Sequence, residues 1–568
     1  MNLSPAGLPG ITPPHTSTRI LPAKNGVNGD NQRHDKKQMF PQAVPLPAAG
    51  SNRNGPTRYG FSRHDKTCSS ERVLNRPGTV QLGQVQHLLI YQPRQIRQDM
   101  NNDSTRRIIG SFATSDGKSC FHPPRWTRLA LGVLTAVSMT VTPGFTTPEA
   151  PPNIVLIVSD DQGYKDFGFM GSGDVKTPHL DRLADLSALY PNSYVTSSIC
   201  RPSLATIMTG LYPHQHGIHF NHPPPGLPWL HHFNADEYTV LRNVATHLIQ
   251  SVPTIPRVLS RAGYRCLQTG KHWEGAAREA GFTEGLTRAR PHPLEGAIGL
   301  RPHHGNGDAG LQIGRYTMDP IFEFIDRNEE KPFFIWYSPY LPHVPHNPPA
   351  RFRALYEDQH DLPFEKMVYY ASCSWFDDTV GRLVRYIENK GLAHRTLFVF
   401  ISDNGYAVDE QGLVNQRGKM TPYESGLRTP ILLRWDGVIQ PSRHSPLCSS
   451  VDIAPTIFDV AGHSNLAQDL PGLSLLPSAR GTEPLPDRTV FGGIYPGDAS
   501  GYGNPSSFIA YRWLRQGPYK LIVPHVHDAL PWGEYELGTA LYDVRNDPDE
   551  AVDLAARDES RDVILALT

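Results

Sequence analysis

The sequence has few cysteines, and they are not arranged as a structural metal site or a disulfide framework requires. Cys68, Cys120, Cys200, Cys266, Cys373 and Cys448 form no CxxC pair in 568 residues. That excludes a zinc ribbon and a disulfide-stapled mini-domain. A charge excess is also missing: 54 Lys and Arg against 55 Asp and Glu leave a net charge of -1. No nucleic acid partner held by bulk charge is expected, and any anion selectivity must come from local clusters. Long apolar runs are absent too. The most apolar stretch, residues 129–141, falls short of the roughly 18 residues that a membrane span needs, so no stable membrane insertion is expected. No repeat of fixed period is visible.

Composition divides the chain. Residues 1–124 are rich in Pro, Gly, Asn, Gln, Arg and Ser, with little apolar periodicity. They read as disordered, or as an extension created by the choice of start site, with Met100 one candidate for a later start. Residues 125–150 then place Arg125 and Arg128 before an apolar run and small, turn-forming residues. This is the layout of a secretory signal and points to a secreted or periplasmic protein. A buried helix or a short anchor is the alternative.

From residue 151 the chain alternates buried strands with helical patterns, as in an α/β protein. NIVLIVSDDQG (153–163) is a continuous apolar, β-branched run ending in Asp160 and Asp161. FVFISDNG (398–405) repeats the pattern and ends in Asp403 and Asn404. Open α/β sheets bind ligands at the carboxyl ends of their strands. If the two strands are neighbours, four oxygen donors converge, a set suited to Ca2+ or Mg2+. Asp160 and Asp161 alone are better explained by turn and N-cap chemistry; two matching strand ends are much more specific than either alone.

Cys200 stands just before Pro202 and a helix-compatible run ending at Gly210. It is either an inert core cysteine or a reactive sulfur beside an anion-binding helix end. Lys271 follows a short strand and reads as a solvated loop lysine or as a cation for a bound anion; Lys419 is a second candidate cation for an anion pocket. His343 and His346 sit in a proline-stiffened segment, LPHVPHNPP, which suits rigid presentation for binding or proton transfer. His214 and His216 read as loop residues near the pocket mouth. The loops 222–232 and 288–315 are candidates for lining that pocket. A tail of shorter strands, residues 489–495, 507–513 and 519–523, followed by a helix, reads as a smaller sheet.

Nine motifs in order resemble the sulfatase family of the alkaline phosphatase superfamily: NIVLIVSDDQG, TPHLDRLA, CRPSLATIMTGLYPHQHG, AGYRCLQTGK, LPHVP, FVFISDNG, RGKMTPYESGLRTP, VDIAPT and LYDVRNDPDE. The resemblance spans about 153 to 567. It implies a large mixed sheet sandwiched by helices, at 151–465, and a smaller C-terminal α/β subdomain, at 466–568. It implies one Ca2+ held by Asp160, Asp161, Asp403 and Asn404, with residue 200 beside the ion. Cys200 would be oxidised to formylglycine by a maturation enzyme, and the aldehyde hydrate would attack the sulfur of a sulfate ester. Lys271, Lys419 and His343 would bind the sulfuryl group, the lysines stabilising its developing charge and His343 helping to protonate the leaving oxygen.

Two positions depart from the family pattern. The family's C-x-P-S-R has Leu204 at its arginine, and its G-K-W-H reads Gly270-Lys-His-Trp273. Two other readings therefore stand beside a sulfate-ester hydrolase acting on a small molecule or glycan. One is a phosphate or phosphonate ester hydrolase on the same scaffold. The other is a sulfated-glycan binder in which Cys200 is never oxidised.

Overall fold

The computed structural model describes residues 151–568 except 225–234, 287–308, 410, 412–416, 496, 498, 500 and 526–537. The N-terminal extension, the signal-like segment and most of the two candidate pocket loops lie outside these residues.

The main sheet is built from β1 (Asn153–Ser159), β2 (Ala188–Tyr194), β3 (Arg265–Gly270), β4 (Glu284–Gly285), β5 (Phe333–Ser338), β6 (Thr396–Ser402), β7 (Arg428–Arg434), β8 (Ser442–Arg443) and β9 (Cys448–Ser449). The order is β4-β3-β5-β1-β6-β7-β2-β8, with β9 alongside β2. β3, β5, β1 and β6 run parallel, whereas β7 is antiparallel to both β6 and β2. Every residue of β1 and β6 is buried. A sheet covered on both faces explains why these strands read as unbroken apolar runs rather than alternating ones.

The two faces take opposite residues of each strand. Ile154, Leu156 and Val158 pack with α2 (Cys200–Thr209), α3 (Ile255–Arg261) and α6 (Ile453–Val460). Val155 and Ile157 pack with α1 (Pro178–Asp185), α4 (Asp319–Arg327) and α5 (Phe364–Asn389). Full burial of each such aliphatic side chain contributes roughly 1.5–3 kcal/mol. Thr177 and Pro178 open α1 as their sequence suggests, but the Thr177 side chain makes no cap. Asp377 of α5 does so instead, accepting from the backbone N–H groups of His179 and Leu180 at 3.0 and 2.7 Å.

A second sheet orders β10 (Thr489–Ile494), β11 (Tyr511–Gln516), β12 (Tyr519–Pro524) and β13 (Ala540–Asp543) as an antiparallel meander, and α7 (Arg561–Leu567) closes the chain. The alternating burial of β11 shows one covered and one open face. Two details differ from the sequence reading. The strand expected at 507–513 begins at Tyr511, and α2 starts at Cys200 itself.

Candidate active site

β1 and β6 are paired in register, Ser159 opposite Ser402. The residues that follow, Asp160–Asp161 and Asp403–Asn404, therefore leave the sheet side by side, about 5 Å apart. Asp160 and Asp403 are fully buried and Asp161 nearly so. The Asp161 N–H donates to Asp403 Oδ1 at 3.0 Å, and Asn404 Nδ2 donates to Asp161 Oδ1 at 2.7 Å. Asp161 holds a left-handed backbone, φ 60°, a conformation that Asp tolerates better than most residues. It turns both carboxylate oxygens towards neighbours from other parts of the chain.

Lys271 follows the carboxyl end of β3, two strands from β1. Its backbone turns at Gly270, where φ is +71° and a Cβ would lie 1.9 Å from the Ser338 carbonyl oxygen, so only glycine fits. The completely buried Lys271 ammonium contacts Asp160 and lies 3.4 Å from Asp403 Oδ2. Lys419 reaches Asp161 Oδ2 at 2.7 Å, with its side chain 18% exposed. Its loop is tied to the residues before α2: Met420 N–H donates to the Ser198 carbonyl at 2.8 Å, and Ser198 Oγ to the Thr421 carbonyl at 2.7 Å. Burial works against both ammonium charges, but Asp160 beside Lys271 and Asp161 beside Lys419 keep them charged.

His343 lies 3.3 Å from Asp161 Oδ2 through Nε2, while its Nδ1 donates to the Val344 carbonyl at 2.7 Å. Arg315 fixes this segment from behind, donating to the carbonyls of Tyr340 and His343, both at 2.9 Å. Cys200, at the N-terminus of α2, points its Sγ at Asp161 Oδ1, 3.8 Å away. Burial pushes its thiol up to about 12, so it is not an intrinsic thiolate. Asp160, Asp161, Cys200 and His343 have ligand atoms within 4.8 Å of one another. Eight sequence-nominated residues, Asp160, Asp161, Cys200, Lys271, His343, Asp403, Asn404 and Lys419, are thus brought to one place.

The donor set fits a hard cation. Asp160 Oδ2 and Asn404 Oδ1 are buried acceptors with no hydrogen-bond donor among the described residues, a costly arrangement without a cation. Because Nδ1 of His343 carries a proton, the neutral ring turns the Nε2 lone pair towards the Asp161 carboxylate, which calls for a positive charge nearby. Three carboxylates against two ammoniums leave an excess negative charge at the cluster. Burial raises Asp160 and Asp403 above the ordinary carboxylate range. Burial works the same way on Asp161, yet the Lys419 ammonium holds it below that range.

Other nominated histidines lie elsewhere. His346 packs between Tyr369 and Tyr406. His216 is buried beneath α2, with Nε2 3.2 Å from Thr206 Oγ1, and His214 stacks on Tyr212. His216 therefore supports the helix rather than lining a pocket mouth. Sequence reasoning missed Arg315 and Glu274. Glu274 takes the guanidinium of the fully buried Arg201 bidentately, at 2.6 and 2.8 Å, while Leu204 joins the hydrophobic core. Arg201 thus serves Glu274 and the Ala245 carbonyl, not the aspartates. Trp273 is core-packed, and His272 lies edge-on to Phe282.

A buried oxygen cage, two ammoniums, a histidine and a helix N-terminus around one side chain suit an enzyme that grips a tetrahedral oxyanion ester. The Sulfatase family model matches residues 152–463, and an N-sulphoglucosamine sulphohydrolase C-terminal model matches 410–568. The chain belongs to the sulfatase family, whose members are sulfuric ester hydrolases. It is 29% identical to human arylsulfatase A over 386 residues, covering 61% of this chain and 71% of that protein. Its fold matches BT4656, solved in complex with its substrate D-glucosamine-2-N,6-O-disulfate, with TM-score 0.56 and 20% identity over 73% of this chain and 96% of that one. A phosphonate monoester hydrolase of Agrobacterium radiobacter shares the fold too, with TM-score 0.52 and 18% identity over 73% and 94% of the two chains.

Proposed function

We propose that this chain hydrolyses a sulfate ester of a small molecule or glycan to the alcohol and inorganic sulfate. The observation that carries the reading is the position of Cys200: at a helix N-terminus, against Asp161, in the cluster that also holds Lys271 and Lys419. Asp160, Asp161, Asp403 and Asn404 are the residues to hold a calcium ion, which when bound polarises the sulfuryl oxygens as a Lewis acid. Formylglycine at position 200, made by a maturation enzyme, supplies as its hydrate an oxygen nucleophile for the sulfur. Lys271 and Lys419 bind the non-bridging oxygens and neutralise the charge that grows in the transition state. His343 Nε2 binds a sulfate oxygen or delivers a proton to the leaving alcohol oxygen. The N-terminal segment directs the protein to the periplasm or outside the cell. Among the described residues no helix is long and apolar enough to cross a membrane.

Mass spectrometry of the Cys200 peptide from the natural host tests the nucleophile. The expected result is an aldehyde in place of the thiol, with sulfate-ester hydrolysis abolished in Cys200→Ala. An unmodified thiol throughout would instead favour a sulfated-glycan binder. Leu204, in the core where the family motif has arginine, is the observation that supports that second reading.

A further inference from the structure

Lys419 reaches the site on a loop whose flanks are held by the turn after β13 and by the second sheet as well as by the main sheet. Arg417, two residues before it, donates to the carbonyls of Asp549 and Glu550 at 3.2 and 2.6 Å. Glu424, five residues after it, donates its backbone N–H to Glu550 Oε2 at 2.6 Å. Glu550 Oε1 accepts from the Lys520 ammonium at 2.8 Å, and Lys520 is a completely buried residue of β12. Lys520 also lies 3.3 Å from Glu424 Oε1. The other Glu424 oxygen accepts from Tyr194 OH at 2.8 Å, at the end of β2. Glu550 is 1% exposed and sits in a left-handed turn, φ 54°. Both of its carboxyl oxygens are therefore committed, one to the Lys419 loop and one to the second sheet.

We propose that Glu550 is a positioning residue for Lys419: with Lys520 and Arg417 it clamps the ends of the Lys419 loop to the second sheet and so sets where the ammonium meets the sulfuryl group. The proposal rests on the hydrolase reading above. Buried pairs of this kind are weak sources of stability but fix geometry, and a displacement of about 1 Å at a reacting group costs on the order of a hundredfold in rate. Ser198 constrains the middle of the loop; Glu550 constrains its flanks. A carboxamide at position 550 offers one acceptor oxygen where a carboxylate offers two. The Glu550→Gln side chain would therefore turn an NH2 towards either the Glu424 N–H or the Lys520 ammonium, releasing one side of the clamp.

A double-mutant cycle on sulfate-ester turnover by the full chain separates this role from a purely structural one. Glu550→Gln is expected to lower kcat/KM by roughly tenfold or more in the parent. In a Lys419→Ala background, the same change is expected to alter the residual turnover by less than about twofold. Equal fold-losses in both backgrounds, or no loss in the parent, would overturn the role while leaving the hydrolase reading intact. A parent chain with no turnover of any sulfate ester would overturn both. Where Glu550→Gln does not fold, Arg417→Met cuts the same clamp from the loop side without touching the buried pair, and the same two outcomes apply.

Discussion

Asn404 shows how a single side chain reports on the site. Its nitrogen is spent on Asp161 and the Gly405 carbonyl, and its buried oxygen has no donor among the described residues. An ion in the cage would take that oxygen as a ligand together with the bare oxygen of Asp160. Calcium held there would stabilise the folded chain by about 2.7 kcal/mol when the ion is at a hundred times its Kd. The melting temperature of the parent is expected to rise on calcium titration, and that of Asn404→Ala to rise much less at the same concentrations. Calorimetric scans with and without calcium check this without reference to turnover. An equal rise in both proteins would remove Asn404 from the ligand set.

At the scale of elements, the turn after β13 and the buried face of β12 meet the Lys419 loop through Glu550. Burial pushes the Glu550 carboxyl up to about 7 from its ordinary 4.5; Lys520 pulls it down and Glu424 pushes it up. Arg417 faces the turn through backbone carbonyls, and Arg428 and Arg515 face the Glu424 carboxylate. The folded chain thus holds this proton more tightly than the unfolded chain does. Its contribution to stability is full below pH 4.5 and is lost as pH rises to about 7; at most it is worth about 3 kcal/mol. Thermal scans between those limits are expected to show a falling melting temperature in the parent and a flatter profile in Glu550→Gln. A parent and variant with parallel profiles would show that Glu550 does not titrate in this window.

At the scale of the whole molecule, the parts of the fold that were legible in the sequence are those that burial writes into composition. β1, β5 and β6 are covered on both faces, so they appear as apolar runs, and the carboxylates that end β1 and β6 stand out against them. Their convergence needed only the assumption that the strands are neighbours, and the in-register pairing of Ser159 with Ser402 supplies it. What the sequence hid are partnerships between distant residues. Arg201 and Glu274 are 73 positions apart, and Glu424 and Glu550 are 126 apart. No local periodicity marks such pairs, because each residue alone reads as an ordinary surface charge. Asp377, which caps a helix 197 positions away, was hidden for the same reason. His216 misled differently: a Pro-His-Gln-His-Gly string looks like a loop, yet the residues wind into a short helical turn that buries the ring.

The proposed activity makes this site, with Lys271 and Lys419 facing a hard-ion cage and Cys200, one that cleaves sulfate rather than phosphate or phosphonate esters. The most direct test gives the purified protein from its natural host matched sulfate, phosphate and phosphonate esters of one alcohol, with and without chelator, and measures the anion released. The expected result is release of sulfate as the dominant product, suppressed by the chelator and restored by calcium. Preferential release of phosphate or phosphonate, or no release of sulfate from any ester with calcium present, would contradict the claim.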